Sequence, residues 1–198
     1  PDIVFAESVG SCTDLIATIV KPLNGLRPEI ESVISIFADA ELLLSLIEGK
    51  SLFLEDSVRY IYKKQLEEAD LLILNKADLL SSEQLKILEA ALKLEFPGKI
   101  IMHQNSLNDQ DISKWLEVLE SVSQKQRSSL NLDYNVYGDG ESRLAWLDKS
   151  ITIHATEGDA IFVTRKIIGS IFDQIQSHQF TIGHLKFFLE TEDWKEKI

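Results

Sequence analysis

The chain has a single cysteine, Cys12, among 198 residues. That excludes a disulfide framework and a closed, Cys-rich zinc site built from one chain. Basic residues are also scarce. Lys and Arg number 20 against 32 Asp and Glu, for a formal net charge of -12. So acidic a chain argues against a broad basic face for DNA, RNA or an anionic membrane. It leaves room for a single nucleotide, because backbone amides hold phosphates without net positive charge. No run approaches the roughly 18 apolar residues that a bilayer span requires. The opening, Pro1-Asp2-Ile3-Val4-Phe5-Ala6-Glu7, is neither a leader peptide nor an initiator methionine, and an apolar run begins at Ile3. The chain therefore reads as cut from something longer.

What is present is ordinary globular composition, 44% hydrophobic and 26% charged, enough for one sizeable domain with a small appendage. Short apolar runs alternate with amphipathic stretches over the first two thirds, which predicts βαβ units and a mostly parallel sheet with flanking helices. Strands are expected at 3–6, 32–38, 71–74 and 99–102. Helices are expected at 14–20 (stopped by Pro22), 42–47, 57–68, from Ser81 to Pro97, and 112–122. Ser81-Ser82-Glu83 supplies capping residues, and Leu85, Leu88 and Leu92 follow at helical spacing. Polar, aperiodic Gln124 to Ser129 reads as a linker, so the domains are drawn at 1–123, 124–133 (linker) and 134–198. The last segment has the pattern of a small β-α-β appendage. It has strands within 143–155 and 180–189, a helix over 159–177, and an acidic end, 190–196, read as a solvated tail or truncated helix.

Asn75-Lys76-Ala77-Asp78 is the sharpest signal. It follows an apolar strand directly, so its side chains lie at the strand's carboxyl end, where open α/β sheets bind ligands. A carboxylate there accepts two parallel hydrogen bonds from the ring N–H and exocyclic amine of guanine, a pair that adenine does not offer. At ~1.5–3 kcal/mol for each charge-assisted bond, discrimination of about a hundredfold or more is within reach. The lysine stem would cover the base face and the asparagine would tie neighbouring loops. The plain alternative is a polar turn ahead of the next helix.

Glu7-Ser8-Val9-Gly10 is the second signal. A carboxylate ending a buried strand calls for a cation or a hydrogen-bonded water, and magnesium beside a triphosphate is one such partner. Gly10 would let a backbone amide approach the terminal phosphate. The alternative is an acidic residue that caps the next turn. His103-Gln104-Asn105-Ser106 follows the fourth expected strand, and Ser106 is placed to give a backbone amide to the guanine carbonyl oxygen.

This ordered set resembles the CobW/HypB/UreG family, P-loop GTPases that assist assembly of metallocentres and metal cofactors. The residues that carry the resemblance are Pro1 to Leu23 with Glu7-Ser8-Val9-Gly10, and Gln65 to Asp78. Tyr137-Gly138-Asp139-Gly140-Glu141-Ser142-Arg143-Leu144-Ala145-Trp146-Leu147 is similar to the opening of the C-terminal domain in the CobW-like branch. The resemblance implies a cytoplasmic, GTP-binding and GTP-hydrolysing metallochaperone or cobalamin-type cofactor-assembly protein. It implies GTP and magnesium as cofactors, zinc or another transition metal as cargo, a metalloprotein or cofactor-assembly client, and a homodimer. It places Glu7 as the catalytic residue, holding magnesium through water, with Gly10, Asn75, Lys76, Asp78 and Ser106 on the nucleotide. The family's phosphate loop, G-x-x-x-x-G-K-[ST], and its C-x-C-C metal motif do not occur in these residues. In the family both precede the Glu7 strand, so both are expected before Pro1. Without the loop, these residues alone are expected to bind GTP weakly and not to hydrolyse it. A non-catalytic interaction module is the alternative function, and an unrelated α/β enzyme using Glu7 as acid or base ranks last.

Cys12 follows Gly10 and is a candidate metal ligand that would need partners from elsewhere, or else a small buried residue in a tight turn. His154 and His184 read as core or surface histidines, and Trp115, Trp146 and Trp194 as packing residues. Asp39 is placed to orient water or, preferably, to cap the following helix. With the phosphate-loop strand missing, the 3–6 strand is expected to pair directly with the Leu71 strand or with another molecule.

Overall fold

A computed structural model describes residues 3–50, 55–122, 127–144, 147–155, 159–179, 182 and 185–198. The chain forms two compact units, Pro1–Ala145 and Trp146–Ile198. No helix among the described residues is long and apolar enough to cross a membrane.

The first unit is built on three parallel strands, β1 (Ser35–Asp39), β2 (Leu71–Asn75) and β3 (Ile100–Gln104), in that spatial order. Leu71-Leu72-Ile73-Leu74 are fully buried, as a central parallel strand covered on both faces requires. On one face, Ala38, Leu72 and Leu74 pack with Leu43 and Leu44 of helix α2 (Ala40–Ile47), Leu66 of α3 (Asp56–Glu68), and Leu88 and Leu92 of α4 (Ser82–Glu95). Each of these leucines stabilises the fold by ~1.5–3 kcal/mol through burial. On the other face, Phe37 meets the Trp115 ring of α5 (Asp109–Ser121) edge-on at 5.4 Å, and Trp115 Nε1–H donates to Ser35 Oγ at 3.3 Å.

Helix α4 begins where Ser81 predicted, with a reciprocal capping box. Gln84 N–H donates to Ser81 Oγ, and Ser81 N–H donates back to Gln84 Oε1. Pro22 does not stop the first helix. A π-turn, Ile16–Val20, leads into α1 (Lys21–Leu26), placing Pro22 in a first turn where no amide hydrogen is needed.

The segment 3–9 is a correction. It carries no regular secondary structure, and Ile3, Val4 and Phe5 are exposed. The physical reason lies in the sheet order. β2 already has β1 on one edge and β3 on the other, so the Leu71 strand has no free edge for 3–6. What holds the segment is Phe5, whose ring lies 5.5 Å from that of Trp115.

Helix α6 (Tyr134–Arg143) packs along α3 within the first unit, so the structural division falls after residue 145. Asp133 caps it, accepting from Asn135 and Val136 amides. Ahead of it, Arg127 grips the amino ends of β1 and β2. Its Nε donates to Asp70 Oδ1 at 3.0 Å, its Nη2 lies 2.6 Å from Asp70 Oδ2, and Nη2 also donates to the Ser32 carbonyl.

The second unit contains α7 (Ala160–Ser177), capped by Asp159, and an antiparallel hairpin of β4 (Phe188–Glu190) and β5 (Lys195–Lys197). Phe172 meets Phe187 at 6.3 Å between ring centres, and Arg165 pairs with Glu196 at 2.7 Å. The expected helix is present. Residues 147–155, however, have no regular structure, and the acidic end forms the hairpin turn and its second strand. His184 and Trp146 lie outside the described residues; His154 is exposed.

Candidate nucleotide-binding site

Register brings the carboxyl ends of the three strands into one row, Asp39 beside Asn75 and Asn75 beside Gln104. The chain leaves β2 through Lys76, which adopts a left-handed backbone at φ 57° and turns the strand into a 3-10 turn, Ala77–Leu79. Such a conformation costs a non-glycine residue ~1–3 kcal/mol and persists where surroundings over-determine it. Leu79 and Leu80 amides donate to the carbonyls of Lys76 and Ala77. This turn buries Ala77 and leaves Asp78 exposed. Asp78 is therefore open to solvent at the sheet's carboxyl edge.

Both residues ahead of it are held. Asn75 Oδ1 accepts from the Ser106 hydroxyl at 2.8 Å and from the Ser106 amide at 3.1 Å. Gln104, 2% exposed, donates in turn from Nε2 to Ser106 Oγ at 3.0 Å. Lys76 Nζ lies 2.7 Å from Asp39 Oδ2, while Asp39 Oδ1 accepts from the Leu42 amide and caps α2. Asp39's partial burial acts to raise its pKa. The Lys76 ammonium and the α2 amides outweigh that burial and hold the carboxyl below the usual carboxylate value. Burial and the negative charge of Asp39 push the Tyr62 hydroxyl well above the ordinary tyrosine value.

The Ser106 amide, read as a donor to a base carbonyl, donates to Asn75 Oδ1 in this structure. Glu7 does not end a buried strand; it is exposed on an irregular segment.

The loop after Glu7 is instead tied to helices. Gln65 Nε2 donates to the Gly10 carbonyl at 2.7 Å and to the Cys12 carbonyl at 2.9 Å. Ser11 Oγ donates to Glu141 Oε2 at 3.2 Å, and the Tyr134 hydroxyl donates to Asp14 Oδ2 at 3.0 Å. Burial, together with Glu141 and Cys12 beside it, pushes the Tyr137 hydroxyl up. Cys12 is half-buried in the turn closed by its amide on the Val9 carbonyl. Among the described residues no group of three His, Cys, Asp or Glu side chains is placed to hold a metal ion. A shallow cavity of about 590 Å³ lies elsewhere, between Tyr60 and Lys64 of α3 and the 131–135 stretch. Sequence reading gave no role to Gln65, Gln104 or Glu141. Gln65 stands within the stretch 65–78 that carried the resemblance, which was the one signal pointing to it.

A three-stranded parallel sheet flanked by helices, with Asn75-Lys76-Ala77-Asp78 at its carboxyl edge ahead of a capped helix, is an α/β fold consistent with the P-loop GTPase type. The chain belongs to the CobW/HypB/UreG family: the model of that family's nucleotide-binding domain matches residues 1–102. Membership carries guanine-nucleotide binding, with GTP and magnesium as general cofactors of the family. No curated protein and no solved structure matches the chain.

Proposed function

We propose that this chain selects guanine through Asp78 as part of a GTP-binding and GTP-hydrolysing metallochaperone or metal-cofactor assembly protein of the CobW kind, these residues alone binding nucleotide without hydrolysing it. The observation that carries this reading is the exposed Asp78 carboxylate on a turn whose preceding residues are fastened to both neighbouring strands. A carboxylate so placed accepts from guanine N1–H and N2–H together, and meets an acceptor if adenine enters. Nucleotide would bias the Glu7–Thr13 loop and change the surface shown to a metalloprotein client or a second copy.

Titration of 15N-labelled protein with guanosine and adenosine monophosphates tests the base selection. Amides of residues 75–80 should shift with GMP and far less with AMP. Asp78→Asn replaces an acceptor with a donor, so preference should move toward xanthosine monophosphate, with GMP weakened by about a hundredfold. Unchanged base preference would remove Asp78 from the site.

A second reading, an interaction module without hydrolysis, is favoured by Glu7's exposure and by the Gln65 hold on the Gly10 and Cys12 carbonyls. The two readings separate on turnover: a module leaves GTP intact in the longest form of the protein that can be produced.

A further inference from the structure

Asp39 lies on a different strand from the base-selecting loop, and its two carboxylate oxygens face different partners. Oδ1 accepts from the Leu42 amide at 3.1 Å, and Oδ2 meets Lys76 Nζ at 2.7 Å. An N-cap needs only the first of these contacts. The second draws the lysine side chain from the end of β2 across to the end of β1, over the row formed by Asp39 and Asn75. A lysine on an exposed loop otherwise samples many rotamers, and fixing it costs about 2 kcal/mol of side-chain entropy. With Lys76 already tethered, much of that ordering is complete before a ligand arrives, which is how preorganisation raises affinity. The lysine backbone takes a left-handed conformation, and its Nζ is held by Asp39, so both ends of the stem are constrained two residues ahead of Asp78.

We propose that Asp39 is a positioning residue for the nucleobase: by pairing with Lys76 it lays the lysine stem across the strand ends as the surface on which the purine seats. This rests on the reading that Asn75 to Asp78 bind guanine. Asp39 does not touch the base; it acts through Lys76.

The test separates the two roles of Asp39. Asn and Ser are both strong N-caps, so Asp39→Asn and Asp39→Ser keep α2 capped, while the first removes the charge and the second also removes the reach. Both variants should stay folded, with a thermal midpoint lowered only by the small loss of a partly exposed ion pair. Both should weaken GMP binding by about fivefold, as loss of one partly exposed ion pair allows. In a Lys76→Met background, Asp39→Asn should cause no further loss, a coupling that a cap alone would not produce. Asp78→Asn, measured alongside with GMP and xanthosine monophosphate, reports on the underlying reading. If Asp78→Asn switches the base while both Asp39 variants bind GMP like the parent, Asp39 is a cap only and the proposal is overturned. It is overturned as well if Asp39→Asn weakens GMP equally with and without Lys76. If Asp78→Asn leaves base preference untouched, the guanine reading falls first, and the proposal with it.

Discussion

Gly140 and the carbonyl oxygen of Ser57 meet with no space for a side chain between them: a Cβ at Gly140 would stand 2.6 Å from that oxygen and 2.7 Å from Ile61 Cδ1. Helix α6 therefore approaches α3 as closely as it does because this residue is glycine. Gly140→Ala should push the helices apart and destabilise the first unit by about 1–3 kcal/mol. Urea denaturation of the variant measures this. A midpoint at or above the parent's would show that the two helices do not need this contact, since alanine favours the helix intrinsically.

Arg127 ties the opposite end of the sheet. Its side chain is 10% exposed and that of Asp70 17%, and Asp70 also accepts from the Ile34 amide. Arg127→Ala leaves a mostly buried carboxylate with one partner fewer, and should cost about 3 kcal/mol. Arg127→Lys should recover only part of it, because a single ammonium cannot reproduce the two-pronged contact while also reaching the Ser32 carbonyl. Full recovery by lysine, read from thermal midpoints, would count against a geometric role.

Asp39 sets an acid limit on the site. Its carboxyl is held below the ordinary value, the Lys76 ammonium and α2 amides overcoming the opposing effect of burial. A depressed pKa in the folded state means that the carboxylate's contribution is complete above the ordinary carboxylate value and is lost as pH falls through the folded one. GMP affinity and α2 capping should thus hold through the neutral range and decline together only at pH values below the usual carboxylate range. In Asp39→Asn the Asp39 part of that decline should vanish. A variant whose acid profile matches the parent's would assign the decline to other groups.

The 198 residues contain no G-x-x-x-x-G-K-[ST] sequence. Amides and a lysine of that loop supply most of the grip on a triphosphate, so this chain should bind GTP more weakly than micromolar and release no phosphate. Calorimetry and a phosphate-release assay read both. Micromolar affinity corresponds to about 8 kcal/mol, and finding it would mean that the base edge and the Glu7–Thr13 loop suffice without a phosphate loop.

The parts of this molecule that sequence made legible are those decided locally. Leu71 to Leu74 is a buried strand whatever surrounds it, Ser81 with Gln84 starts a helix by satisfying its own first amides, and Asn75 to Asp78 must follow where the strand ends. The parts that were not legible depend on distant partners. Ile3 to Ala6 has the composition of a strand, but a strand exists only beside a ladder, and both edges of β2 are occupied. Tyr134 to Arg143 contains Gly138 and Gly140, poor helix formers, and is assigned no helix from the sequence; it forms α6, packed along α3. Arg127, in a polar stretch that looked like linker, gains its meaning only from Asp70, which is 57 positions away. With no strand formed at 3–6, Glu7 stands exposed on an irregular segment and not at a strand end.

Because Gln104 holds Ser106, Ser106 holds Asn75, and Asp39 holds Lys76, the Asn75–Asp78 turn is moored fore and aft by residues outside its own four letters. On the proposed reading, discrimination among bases could be retuned by editing those moorings while the four-letter signature stays intact. Two proteins with identical Asn-Lys-Ala-Asp turns need not share the same fidelity.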